Sequence, residues 1–259
     1  MAPTRHELPP FVQLAAHPVR WRLLTALSSG DQRVRELVAL VGEPQNLVSY
    51  HLRLLRDGGL VTMTRSSHDG RDSYYHLDLD RSAELLGGAG AALHPGLRMT
   101  PAATEFETAA PPVVLFVCTG NSARSVIAEA LLRRHTGGRL EVFSAGTDPR
   151  PAMHPDTVRV LRADFDIDLA GRCPRHLDSL TGQRFDLVIT LCDKARERCP
   201  EFGGEVRRIH WSIRDPAAPN AANTGGYPEF RATAAEIDSR IRYLLPTLNL
   251  LDSTNRSVR

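Results

Sequence analysis

Lysine is almost missing from this 259-residue chain: Lys194 is the only one, and the rest of the 32 basic residues are arginine. Planar guanidinium forks, suited to gripping oxyanions, are therefore the cations it has to use. Cysteine is scarce as well. There are four, Cys118, Cys173, Cys192 and Cys199, with none in the first 117 residues. In a chain of this size so few thiols do not make a disulfide framework, so each needs a metal, catalytic or packing role. Net charge is only +2, which by itself advertises neither nucleic acid nor membrane. Long apolar runs are lacking too: the longest covers the six residues 113–118, where a bilayer span needs about 20. The opening stretch MAPTRHELPP has no apolar core of a secretory signal. These absences lead us to expect a cytoplasmic protein with no membrane partner.

What is present is an ordinary globular balance, 42% hydrophobic and 24% charged. At about 150 residues per domain the length suggests two modest domains. Residues 94–112 hold four prolines among Ala and Thr without apolar periodicity, the composition of an extended linker. We therefore expect a domain over 1–93, a linker over 94–112 and a second domain over 113–250. Residues 1–110 carry eleven basic against twelve acidic residues, and the remainder twenty-one against eighteen. If the first part binds DNA, placed residues must do it rather than bulk charge.

The first part reads as helical with one hairpin. Leu14, Val19, Leu23, Leu24 and Leu27 recur at helical spacing, predicting one helix over 11–27. Val34, Leu37, Val38 and Val41 share a face of a second. A third, over 45–56, buries Val48, Leu52 and Leu55 and offers Gln45, Asn46, Ser49, Tyr50 and Arg53 on its other face. Strands over 60–65 and 73–77 follow, joined through Asp69-Gly70. This is the winged helix-turn-helix order. In it the polar face of 45–56 enters the major groove, and Arg65 and Arg71 flank the hairpin tip near phosphates. The alternative is a small helical domain whose polar face is merely solvated.

The stretches LAAHPVRWRLLTALSSG, VRELVALVG, QNLVSYHLRLLRDGGLV and SYYHLDLD resemble the ArsR family of winged-helix repressors over about seventy residues. The resemblance implies a homodimer joined through the first and last helices (11–27 and 81–93), and a palindromic DNA operator released by an inducer. The chain departs from it where many members sense soft metals through a Cys-x-Cys-like cluster. Here that position reads Gln32-Arg33-Val34-Arg35.

The second part alternates strand and helix. Strands are expected over 113–117, 140–144, 186–191 and 206–211, and helices over 126–135, 155–163 and 229–245, an α/β unit with a parallel sheet. Between the first strand and the first helix lies Cys118-Thr119-Gly120-Asn121-Ser122-Ala123-Arg124-Ser125. Such a loop is an oxyanion trap, its N–H groups and helix N-terminus favouring negative charge. The same dipoles are expected to lower the pKa of Cys118. Arg124 clamps two oxygens, Ser125 donates to the sulfur, and Gly120 and Asn121 tolerate positive φ. Cys192 to Arg198 has the same spacing, but its intervening DKARE has no glycine and two carboxylates, which repel an oxyanion. Asp215-Pro216 follows the last strand, an acid placed to protonate a leaving oxygen or simply a turn.

This part resembles the low-molecular-weight protein tyrosine phosphatase superfamily over about 135 residues. Phosphatases of that group carry an aromatic residue after Asp-Pro, where this chain has Ala217 and Ala218. Its thioredoxin-coupled arsenate reductases carry two further cysteines, matched here by CDKARERCP, Cys192 to Pro200. By that resemblance Cys118 attacks arsenate with Asp215 supplying a proton. Cys192 then attacks Cys118 and releases arsenite, and Cys199 moves the disulfide outward for thioredoxin. Lys194, Arg196 and Arg198 are expected to lower the pKa of these thiols. Some members bind a monovalent cation beside the loop; Asn121, Glu129 and Ser144 match that site, whereas Leu177 stands where a hydroxyl is wanted. Cys173 matches no catalytic position and reads as half-buried and structural. None of the ten histidines has ligand spacing with a cysteine, so no metal is expected. Three readings stay open: a regulator with arsenate reductase, a regulator with phosphatase, and a pure regulator sensing an oxyanion.

Overall fold

The structure, a computed structural model, describes residues 8–68, 70–94, 97, 111–202, 206–218 and 226–255, with side chains up to residue 248. It divides into two compact units, Met1–Ala103 and Thr104–Arg259. Most of the expected linker over 94–112 lies outside the described residues.

In the first unit the single helix expected over 11–27 is two, α1 (Pro10–Ala15) and α2 (Pro18–Leu27). Pro18 pushes His17 out of the helical region, to φ −113° and ψ 129°. His17 then caps α2, its Nδ1 accepting from the Val19 N–H at 3.2 Å. There follow β1 (Gln32–Arg33), α3 (Val34–Val41), α4 (Gln45–Asp57), β2 (Val61–Arg65), β3 (Ser73–Leu77) and α5 (Leu79–Leu93). Leu23, Leu37, Val48, Leu52, Leu55 and Leu60 are fully buried where α2, α3, α4 and β2 meet. Burying one leucine side chain is worth about 1.5–3 kcal/mol. Strand β1, too short to show a period, completes an antiparallel sheet of order β1-β3-β2. It carries Gln32 and Arg33, in a unit that has no cysteine. Here Arg33 pairs with Glu36 at 2.9 Å and Asp72 at 3.3 Å, tying the entry of α3 to the wing.

The second unit is built on four parallel strands, β4 (Val114–Cys118), β5 (Val142–Gly146), β6 (Leu187–Thr190) and β7 (Arg207–His210), in the order β5-β4-β6-β7. Every residue of β4 and β6 is buried, which is why they read as continuous apolar runs. The helices are α6 (Arg124–His135), α7 (Pro155–Phe165), α8 (Asp193–Arg198) and α9 (Tyr227–Asn255). Helix α6 packs on β4, β5 and α9. α9 continues past its expected end at 245 despite Pro246. Burial of Leu244, Leu245 and Leu248 there outweighs the one hydrogen bond a proline forfeits. The second strand joins one side of the first and the third joins the other, so the crevice of this sheet opens at the carboxyl ends of β4 and β6. Cys118 ends β4 and Cys192 follows β6 by two residues. No described helix is long and apolar enough to cross a membrane.

Candidate functional site

Gln45, Asn46, Ser49, Tyr50 and Arg53 form an exposed polar face of α4, opposite its buried Val48, Leu52 and Leu55. Arg65 and Arg71 are exposed on either side of the wing tip, and Arg65 Nη1 donates to the Gly70 carbonyl at 3.4 Å. Asp69 lies outside the described residues. α4 also buries His51, which the sequence did not single out. Its ring lies 4.3 Å from that of His17 and its Nδ1 has no partner among the described residues. Burial, and then His17 and Arg20, hold His51 below the usual histidine range.

The chemistry of the second unit begins with how its loop is braced. The carbonyls of Cys118, Thr119 and Gly120 accept from the N–H groups of Thr147 (3.1 Å), Asp148 (2.9 Å) and Arg150 (2.9 Å). The Ser122 carbonyl accepts from the His154 N–H at 3.1 Å and the Thr157 hydroxyl at 2.9 Å. A trans peptide sets its N–H opposite its C=O, so carbonyls committed outward turn the following N–H groups inward. The Asn121 N–H duly donates to Cys118 Sγ at 3.2 Å. Asn121 alone in this loop takes positive φ, 44°; Gly120, expected to share it, does not. Gly146, at the end of β5, permits the close packing, since a Cβ there would sit 2.5 Å from the Thr119 carbonyl oxygen.

Around Cys118 the side chains form one hydrogen-bonded chain. Cys118 Sγ and Ser125 Oγ lie 3.0 Å apart. Asn121 Nδ2 donates to Ser125 and Ser144, each at 2.9 Å, and Ser144 donates to Glu129 at 2.7 Å. Arg124 is buried, donating through Nη1 to the Ile213 carbonyl at 3.0 Å and pairing through Nη2 with Asp215 at 3.1 Å. Its Nε has no partner among the described residues. A buried guanidinium with one unmet donor beside inward N–H groups is what a tetrahedral oxyanion would satisfy. Asp215 stands half-exposed at the mouth. The expected lowering of Cys118 is corrected: burial pushes its thiol up, against the opposing pull of Arg124 and Ser125.

Cys192 is buried, its Sγ 3.3 Å from the Thr119 hydroxyl of the Cys118 loop. Cys199 caps the other end of α8 and is partly buried. Burial raises its thiol and Arg208 draws it back, so the cation acting on Cys199 is Arg208 rather than Lys194, Arg196 or Arg198. Lys194 and Arg198 point into solvent from α8. Asp193, His210, Ser212 and Thr190 form a buried polar cluster just past Cys192. Sequence reading missed it because its members are scattered between 190 and 212.

Cys173 is exposed, not half-buried, since the turn carrying it places Arg172 inward instead. The monovalent-cation site does not fit these residues. The buried Glu129 carboxylate already meets Arg172 at 2.5 Å and Arg133 at 3.2 Å, so its charge is satisfied by guanidinium groups. Among the described residues no cluster of three metal-ligating side chains occurs.

Comparison with known proteins finds relatives of both units. Residues 17–63 match the bacterial regulatory protein, arsR family. An arsenate reductase of Brevibacillus brevis is 35% identical over 134 residues, 52% of this chain and 94% of that protein. One from Halalkalibacterium halodurans is 33% identical over 135 residues, 52% of this chain and 96% of that protein. A crystal structure of arsenate reductase from Archaeoglobus fulgidus is 30% identical, with a TM-score of 0.42, covering 51% of this chain and 98% of that one. The phosphatase match spans residues 113–254, more than half of the chain. With an ArsR-type winged helix ahead of it, this chain belongs to the low molecular weight phosphotyrosine protein phosphatase family.

Proposed function

We propose that this chain is an arsenic-responsive transcriptional regulator joined to an arsenate reductase that works by a three-cysteine relay recycled by thioredoxin. The carrying observation is that Cys192 Sγ touches the loop holding Cys118, within 3.3 Å of the Thr119 hydroxyl, with Cys199 at the far end of α8. A phosphatase needs neither sulfur, and relatives covered almost entirely by this unit are named arsenate reductases.

In this reading arsenate enters the loop against the inward N–H groups and Arg124. A doubly charged oxyanion takes up the thiol proton that burial holds on Cys118. The sulfur bonds arsenic while one arsenate oxygen leaves, protonated by Asp215. The Cys192 sulfur then attacks Cys118 Sγ, its thiol proton passing to an oxygen of the departing arsenite. The S–S bond forms as the S–As bond breaks, and its electron pair goes to arsenic, which leaves as arsenite. Two thiols become one disulfide as arsenic falls from +5 to +3. Cys199 next attacks Cys192, freeing Cys118. The seven steps from Cys192 to Cys199 across the six-residue α8, at about 1.5 Å each, set the two about 10 Å apart. Disulfide Cα atoms lie within about 7 Å, so α8 must come apart for the last exchange.

The first unit would act as a homodimer on a DNA operator, with the exposed face of α4 in the major groove. Leu86 and Leu93 of α5 and Val12 of α1 are exposed, apolar surface that a second copy would cover. The first unit has no thiol, so arsenite would be sensed by the reduced Cys192/Cys199 pair once α8 comes apart, with Cys118 as a further ligand. Operator release by arsenite that survives replacement of all three would reject that placement.

The deciding experiment measures arsenate turnover with thioredoxin, and p-nitrophenyl phosphate hydrolysis, for the unaltered protein and for Cys118→Ser, Cys192→Ser and Cys199→Ser. All three variants should lose arsenate turnover, and only Cys118→Ser should lose hydrolysis. Thioredoxin-coupled turnover surviving Cys199→Ser would refute the relay. Hydrolysis without any arsenate reduction would leave the phosphatase, which Cys118, Arg124 and Asp215 equally suit.

A further inference from the structure

The relay as described leaves one buried titratable cluster unused. Asp193 is the first residue of α8, directly after Cys192, and its side chain is almost wholly buried. Oδ1 accepts from the Ser212 hydroxyl at 2.8 Å and lies 3.1 Å from His210 Nε2. On the other side of that ring, Nδ1 lies 2.8 Å from the Thr190 hydroxyl. A carboxylate taken out of water is costly unless hydrogen bonds replace its hydration, and here an imidazole and a hydroxyl do so. The four residues come from the end of β6, the start of α8, the end of β7 and the segment after it.

The two ends of α8 are held very differently. At the N-terminal end the buried cluster grips the residue next to Cys192. At the C-terminal end the contacts are less buried: Arg208 Nη2 donates to the Pro200 carbonyl at 2.8 Å, and Cys199 and Phe202 pack, partly exposed, against the edge of the core. Cys192 itself is extended, at φ −156° and ψ 153°, so the peptide joining it to Asp193 fixes where its sulfur points. The oxyanion side has its own main-chain anchors, and of the four groups whose charge acts on Arg124 that of Asp193 contributes least. Arg124 donates to the backbone carbonyl of Ile213, and the Trp211 N–H donates to the Thr190 carbonyl at 2.9 Å.

We propose that the Asp193–His210 pair, with Ser212 and Thr190, is a positioning element for Cys192. It keeps the resolving sulfur beside the Cys118 loop and so governs the thiol-exchange half of the reaction rather than oxyanion capture. The inference rests on the relay reading above and adds residues to it. Misplacing a reacting atom by about 1 Å can cost about 10²-fold, the loss expected when the anchor is removed.

The test uses the full-length protein. Asp193→Ala, Ser212→Ala and His210→Gln are compared with the unaltered chain in two measurements. One is the rate of Cys118–Cys192 disulfide formation on adding arsenate, read by thiol trapping and peptide mass spectrometry. The other is p-nitrophenyl phosphate hydrolysis, which needs Cys118, Arg124 and Asp215 but not Cys192. Asp193→Ala should slow disulfide formation by about 10²-fold and leave hydrolysis within about threefold. His210→Gln keeps an N–H donor to Asp193 and should recover most of the exchange rate. Should Asp193→Ala fail to fold, Ser212→Ala removes one donor and should show the same split on a smaller scale. Equal loss in both measurements, or no loss in either, overturns the inference. Absence of the disulfide in the unaltered protein overturns the relay and this inference with it, a result distinct from a relay that ignores Asp193.

Discussion

Replacing Arg124 with lysine separates what its charge does from what its shape does. Arg124 is only 6% exposed, so water cannot substitute for a donor it loses. Two of its nitrogens are committed, to the Ile213 carbonyl and to Asp215, and Nε remains for an oxyanion. A single ammonium on a flexible stem can serve about one of these three directions. Two charge-assisted hydrogen bonds at about 1.5–3 kcal/mol each amount to a loss of about 3–6 kcal/mol. At about 1.4 kcal/mol per tenfold, kcat/KM should fall by about 10²- to 10⁴-fold. The positive charge that opposes the burial of Cys118 survives in lysine and disappears in alanine. The pH dependence of Cys118 alkylation by iodoacetamide should therefore barely move in Arg124→Lys and shift upward in Arg124→Ala. The assays are steady-state hydrolysis of p-nitrophenyl phosphate, competition by arsenate, and alkylation rate against pH. A lysine variant within tenfold of the unaltered protein, or one whose alkylation profile shifts like that of alanine, refutes the reasoning.

Gly146→Ala would set a methyl group 2.5 Å from the Thr119 carbonyl oxygen, backbone that cannot yield cheaply; hydrolysis and arsenate reduction should fall together, with a lowered Tm in thermal unfolding. Arg208→Ala removes the cation that offsets burial at Cys199. The thiol should then rise further, so formation of the Cys192–Cys199 disulfide, followed by rapid thiol trapping, should be slowest near neutral pH and recover as pH rises. His51 is held below the usual histidine value by burial first, so the unfolded chain takes up its proton before the folded one does. Its contribution to stability is present above about pH 6.5 and lost as pH falls below it. Chemical denaturation of the full chain at several pH values should show this slope, and His51→Gln should flatten it.

Elements with a strong period or a continuous apolar run were readable from sequence: α3, α4, β3 and β4 lie within one or two residues of where their patterns put them. Position 17 was not, because the period of 11–27 runs on across Pro18 while local backbone sterics break the helix. β1 is two residues long and exists through its pairing with β3, which no local pattern carries. The Cys118 loop was legible because its function is written in contiguous residues. What braces it was not: the amides of 147–154 act through the main chain and leave no side-chain signature. The sign of the Cys118 shift was also hidden, since it depends on how deeply the end of β4 is buried. The Glu129–Arg172 pair joins residues 43 apart, a distance at which only the folded chain shows that a guanidinium meets the carboxylate.

The bracing of the Cys118 loop by main-chain amides has an evolutionary consequence. A contact made by a backbone N–H is indifferent to the side chain beyond it, so Asp148 and Arg150 can drift in identity while the loop keeps its shape. Proline alone would be barred there, having no N–H to give. Gly146 is the opposite case, since any side chain intrudes on the loop. A saturation library across 146–154 selected for hydrolysis should therefore return a narrow minimum at 146 beside tolerant neighbours, with tolerance excluding proline at 147, 148, 150 and 154.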